Sequence, residues 1–149
     1  MMFFGSARKA FMEKLDLAAI EEAIRQAESK TSAELRVSVF PRVFGPLERA
    51  AKKVAGRLRM TETRERNGVL ILVDPAHRRF IIWGDSAIHE KAGQGFWTRT
   101  AAAIAGRFRD GDFTGGLVHG IETAGRELTL HFPAGSAGHR DQLSNRVDV

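Results

Sequence analysis

The spacing of apolar positions changes period several times along the chain, and each change marks an element. Val69 to Val73 is an unbroken branched-aliphatic run, too short for an ordinary helix. That pattern predicts a strand buried on both faces. Asp74-Pro75 stops it, since proline donates no ladder hydrogen bond and restricts the residue before it. Ala76 to Arg79 turn the chain, and Phe80 to Trp83 return beside the first run. Upstream, Leu35, Val37 and Val39 alternate with Glu34, Arg36 and Ser38, which predicts a strand with one face on the core.

Between and after these strands the period becomes helical. Leu17, Ile20, Ile24 and Ala27 form one stripe, with Asp16 as its N-cap and Glu21, Glu22, Arg25 and Glu28 facing water. Leu47, Ala51, Val54 and Leu58 form a second stripe. Ser86 to Glu90 supply one turn, Trp97, Ala101, Ile104 and Phe108 a third stripe, and Leu117, Ile121, Ala124 and Leu128 a fourth, capped by Asp112. The first two strands flank a whole helix and should run parallel through a right-handed crossover. The second and third share a tight turn and should be antiparallel. Helices on both faces of such a sheet give an α/β fold, a three-layer α/β/α sandwich with a small mixed sheet. Residues 1–15 form an N-terminal amphipathic helical segment, 16–133 the domain, and 134–149 a flexible polar tail.

Composition removes several kinds of chemistry. The 149 residues contain no cysteine, so thiolate metal sites and cysteine nucleophiles are excluded. The apolar run before the first charge is only four residues long, and no run approaches the ~18 apolar residues of a membrane span. A cytoplasmic, soluble protein is the expectation. The N-terminal phenylalanines near Arg8, Lys9 and Lys14 either touch a membrane surface or pack on the domain. No Gly-x-Ser-x-Gly, Walker loop or Gly-x-Gly-x-x-Gly after a strand is present.

The residues also carry a family resemblance. Thr31-Ser-Ala-Glu-Leu-Arg-Val37, Arg66-Asn-Gly-Val-Leu-Ile-Leu-Val73 and Ile81-Ile-Trp-Gly-Asp85 come first. Phe96-Trp97, Phe108-Arg-Asp-Gly-Asp-Phe-Thr-Gly-Gly-Leu117 and Leu128 to Pro133 follow. In order and spacing they resemble a TPM domain, the family of the TPM phosphatase-like proteins. Asp141-Gln-Leu resembles the ending of its compact soluble bacterial subgroup, with a proline missing. The resemblance implies an α/β/α sandwich, a divalent-cation site in some members, a disputed weak phosphatase activity, and company with LemA-type membrane proteins.

One constellation follows from the topology itself. Because the third strand is antiparallel, its end lies where its neighbour begins, so Glu34 and Asp85 fall on one edge of the sheet. Arg66 and Asn67 enter the second strand there, with His89 and Trp97 as supporting edge residues. Two carboxylates with Asn67 are oxygen donors suited to Ca²⁺ or Mg²⁺. The competing readings are an N-cap role for Asp85 and an ion pair with Arg66. Asp110-Gly-Asp112 lacks the rest of a calcium loop and reads as a helix stop.

The +5 net charge also has an address. Arg49 to Arg66 holds seven basic and two acidic side chains, a surplus equal to that of the whole chain. Lys52, Lys53 and Arg57 make a candidate contact for an anionic surface, a protein or a peripheral membrane, or serve only solubility. Nucleic acid fits less well, because no aromatic residues interleave the charges. The expectation is an interaction module serving membrane-associated protein complexes, peripheral to the inner membrane. The alternative is a weak metal-dependent phosphatase acting on phosphate monoesters.

Overall fold

A computed structural model describes residues 6–135 and 145–149. Phe3, Phe4 and Asp141 to Leu143, to which the sequence reading gave roles, lie outside the described residues. The chain runs α1 (Ser6–Glu13), α2 (Leu17–Glu28), β1 (Glu34–Val39), α3 (Leu47–Arg57), β2 (Gly68–Asp74), β3 (Arg79–Gly84), α4 (Ser86–Lys91), α5 (Gln94–Arg109) and α6 (Phe113–His131). Single 3-10 turns sit at Met60–Glu62 and Pro75–His77.

The sheet order is β1-β2-β3, with β1 parallel to β2 and β2 antiparallel to β3. This is the mixed α/β sandwich expected from the periodicity. All seven residues of β2 are buried, so both of its faces need cover. On one face Leu35, Val37, Val39, Val69, Ile71 and Val73 meet α1, α2, α4, α5 and α6, which contribute Phe11, Ile20, Ile24, Ile88, Phe96, Ile104 and Leu117. On the other, Leu70 and Leu72 pack with Ala51, Val54 and Ala55 of α3 and with Met60. Phe11 is buried and lies 4.8 Å from Phe113, ring centre to centre. The helical segment at the N-terminus therefore packs an aromatic residue on the domain.

Helix caps follow the sequence reading. Asp16 accepts from the Ala19 N–H at 3.0 Å and Asp112 from the Gly115 N–H at 2.9 Å. Three details differ from expectation. Glu28 is buried rather than solvated, because its carboxylate accepts from the Leu35 N–H at 2.7 Å on the outer edge of β1. In α5 the fully buried side chains are Phe96, Thr100 and Ile104, so the stripe starts one residue before Trp97. Gly93, at φ 74, starts that helix early. Finally, β1 is buried on both faces, Glu34 and Ser38 included. Of the polar tail expected to be loosely held, 136–144 lie outside the described residues, whereas Val147 is buried and Asp148 pairs with β1.

At the far end of the sheet Asp74 is fully buried. Arg79 Nε donates to its Oδ2 at 3.0 Å, His77 Nδ1 lies 2.8 Å from the same oxygen, and Arg79 Nη2 reaches the carbonyls of Val43 and Gly45 at 3.1 Å. Burial pushes the Asp74 carboxyl up, but the hydrogen bonds from Arg79 and His77 outweigh it and hold the pKa below the ordinary value. One carboxylate thus ties the β1–α3 loop to the β2–β3 turn.

Leu72 is fully enclosed between the sheet and α3. Leu72→Ala should cost about 2–5 kcal/mol in urea unfolding, from lost transfer energy plus a cavity. A cost under ~1 kcal/mol would remove the central role assigned to β2.

Candidate functional site

The edge where β1 and β2 begin and β3 ends gathers most of the polar residues that the sequence singles out. Glu34 is the register partner of Gly68, and Asp85 donates its N–H to the Gly68 carbonyl at 3.0 Å. Glu34, Gly68 and Asp85 therefore form one row across the sheet, the outer two separated by two strand spacings, roughly 10 Å. Glu34 is fully buried and Asp85 is 6% exposed, so both carboxylates are largely shielded from water. Met60 fills the space over Gly68, where a Cβ would stand 2.8 Å from the Met60 carbonyl oxygen.

Asp85 performs two of its expected roles at once. Its Oδ1 accepts from the Ser86 N–H at 2.7 Å, capping α4. Arg66 grips both oxygens, Nε to Oδ2 at 2.9 Å and Nη2 to Oδ1 at 3.2 Å. Such a two-pronged pair is the strongest geometry open to these groups. The hydrogen bonds and charge of Asp85 raise the Arg66 pKa above its ordinary value. Arg66 stands at φ 55, in left-handed backbone that a side chain adopts at a cost of order 1 kcal/mol. Its neighbours hold it there. The Arg66 N–H donates to the Thr63 carbonyl, and its own carbonyl accepts from the Ala87 N–H at 3.0 Å.

Asn67 is fully buried behind this pair. Its Nδ2 donates to Ser32 Oγ at 3.1 Å and its N–H to Thr63 Oγ1 at 3.2 Å. Its Oδ1 has no hydrogen-bond partner among the described residues. His89 is exposed and rests on the Trp97 ring, 4.9 Å between centres. Trp97 presses on the backbone of Gly84, where an added Cβ would lie 2.4 Å from its ring. The supporting residues thus shape one wall of the edge, and Arg66 bonds the Asp85 carboxylate there. Ser32 and Thr63 were not singled out from sequence. Thr63 stands four residues before Asn67, and its hydroxyl closes the loop between them.

The fit to a hard cation is poor as the residues stand. Ca²⁺ takes about 6–8 oxygens, whereas both Asp85 oxygens already accept from Arg66 and one also from Ser86. Among the described residues no three acidic or histidine side chains gather to hold a metal. The anionic-surface candidates also separate. Lys52 and Lys53 are exposed on the outer side of α3, but Arg57 donates to Asp148 Oδ2 at 2.9 Å. That ion pair was invisible in the periodicity, because it joins a helix flank to the tail.

The fold and the ordered motifs define an α/β sandwich of known type. The TPM domain model matches residues 8–127, and the chain belongs to the TPM domain family. It is similar to the BA42 protein of the psychrophilic bacterium Bizionia argentinensis, solved by NMR, with 38% identity, a TM-score of 0.84, and coverage of 91% of this chain and 92% of that one. The N-terminal domain of a P. gingivalis protein shares the fold, at 20% identity and a TM-score of 0.63, over 81% of this chain and 76% of that one. A comparison with curated proteins found no match. Among the described residues no helix is long and apolar enough to cross a membrane.

Asp85→Asn keeps the shape and an acceptor for the Ser86 N–H, but removes the charge that faces Arg66. In metal-free buffer it should lower the melting temperature, since Arg66 then spends its strained backbone on a weaker partner. A melting curve equal to the parent's would show the pair to be energetically idle.

Proposed function

We propose that the chain is an interaction module that meets an anionic surface through the outer stripe of α3, in the service of membrane-associated protein complexes. The observation that carries this reading is the stripe itself. Arg49, Lys52 and Lys53 are exposed on one side of α3, and among the described residues none of them makes an ion pair. Three cations beside a single exposed carboxylate, Glu48, raise the local potential and attract anions over a Debye length, about 8 Å at physiological salt. Phe44, 71% exposed, precedes α3 by three residues and adds an apolar side chain next to the basic face. Basic residues beside an exposed aromatic suit an anionic lipid interface. Membership of the TPM family supports a general TPM module, and it is the sequence resemblance to relatives accompanying LemA-type proteins that suggests a partner at the membrane.

The test is sedimentation with vesicles rich in anionic phospholipid. Lys52→Glu with Lys53→Glu should abolish co-sedimentation while the melting curve stays that of the parent. Added salt should weaken the parent's binding too. Equal sedimentation of variant and parent would leave the lysines as solubility charges.

A second reading is favoured by one observation, the buried Asn67 Oδ1 with no hydrogen-bond partner among the described residues. Asn67 directly precedes Gly68, the middle residue of the row of Glu34 and Asp85, so Ca²⁺ or Mg²⁺ would draw on these oxygens only once Arg66 and the Asn67 side chain swing toward one another's places. The weak phosphatase activity implied by the family resemblance would depend on that ion, and no residue here is assigned a catalytic role. A cation that binds only the folded chain raises its melting temperature by mass action. On the order of 10 mM Ca²⁺, well above a millimolar dissociation constant, should then stabilise the parent more than Glu34→Gln or Asp85→Asn. An unchanged parent would sink the cation reading and leave the Arg66 ion pair as the purpose of the edge.

A further inference from the structure

The outer edge of β1 is a sheet margin whose ladder groups need partners. One end is closed by the Glu28 carboxylate on the Leu35 N–H. The other is covered by residues 145–149, which run parallel to the strand. Asp148 donates its N–H to the Val37 carbonyl at 2.9 Å and accepts from the Val39 N–H at 2.8 Å. Val147 is buried, and its N–H donates to the Glu21 carboxylate at 3.1 Å.

The Asp148 side chain enters a socket made for a carboxylate. Ser38 Oγ, on a fully buried residue, donates to Oδ2 at 2.8 Å, and Arg57 Nη2 donates to the same oxygen at 2.9 Å. Arg36 lies alongside, half-buried, with Nη2 on the Arg146 carbonyl at 3.3 Å and a buried Nε that has no hydrogen-bond partner among the described residues. Burial would push the Asp148 carboxyl up, but the hydrogen bonds from Arg57 and Ser38, with the charges of Arg57 and Arg36, hold it below its ordinary pKa. Yet the docked segment pairs through a single residue, and its ion-pair partner Arg57 is 55% exposed. Contacts of that kind are worth little each and open readily.

We propose that the β1 edge is a peptide-binding site for an extended segment of a protein partner, and that residues 145–149 are its occupant within the chain. The partner segment pairs parallel to β1, sets a small aliphatic side chain where Val147 lies, and seats an aspartate in the Ser38–Arg57 socket. Main-chain pairing supplies affinity and the socket supplies selectivity, as in other strand additions.

The test uses a labelled peptide, Ser-Asn-Arg-Val-Asp-Val, and the full chain carrying Asp148→Arg, which Arg57 and Arg36 repel from the edge. Anisotropy should show saturable binding at least ~tenfold tighter than to the parent, whose own segment competes at an effective concentration in the millimolar range. The peptide with asparagine for aspartate should bind at least ~tenfold more weakly, through loss of charge-assisted hydrogen bonds. The milder Val147→Ser, Asp148→Asn double variant should behave likewise, with the parent's circular dichroism. No binding by either folded variant, or equal binding of the asparagine peptide, would overturn the proposal. A parent chain that dimerises by exchanging these residues would assign the edge to a second copy and overturn it also. In the unmodified chain, millimolar unlabelled peptide should displace the chain's own segment and shift its Asp148 amide resonance, which leaves the Val37 carbonyl. A silent Asp148 amide overturns the proposal whatever the variants do.

Discussion

Every main-chain group of a strand buried on both faces must be paired inside the protein, since water cannot reach it. That demand on Gly68–Asp74 organises the molecule. It requires a neighbour on either side, supplied by β1 and β3, and cover above and below, supplied unequally by five helices and by one. The thin side explains several local choices. With only α3 and the turn at Met60 as cover, Gly68 has to let the Met60 backbone approach closely, and Leu70 and Leu72 carry much of that second core.

The fold was legible because its signals were long and periodic. Strands and helices announced themselves by spacing, caps by Asp16 and Asp112, and the parallel pairing by the helix between β1 and β2. The misplaced residues were those whose surroundings come from another element, whether the next one along or the far end of the chain. Glu28 looked solvated on a helical wheel, but the edge of β1 needed an acceptor. Ser38 looked like the polar face of a half-exposed strand until the tail and Arg57 covered it. No local pattern contains such contacts, whose partners stand up to 110 residues away.

The candidate edge was legible in a different way. Topology alone brought Glu34, Asn67, Arg66 and Asp85 together, because an antiparallel third strand ends where its neighbours start. What topology left open was how the charges settle among themselves. The answer depends on Arg66 at φ 55, a strained backbone that places its guanidinium on Asp85. Asp74 repeats the arrangement at the other end of the sheet with Arg79. Each end of β2 thus has one carboxylate held by an arginine, which fixes the loops beside the strand.

The sheet's two margins are treated differently. Beside β1, the Glu28 carboxylate and Asp148 occupy ladder groups, whereas β3 pairs only with β2 and is half-buried along Arg79 to Trp83. Phe80-Ile81-Ile82-Trp83 is the composition that recruits further strands from other molecules and seeds aggregates. Arg78, exposed in the turn just before this run, puts a charge at its start, where gatekeeper residues suppress stacking. The tight turn that closes the hairpin thereby also sets a charge against intermolecular stacking, without any contact made for that purpose.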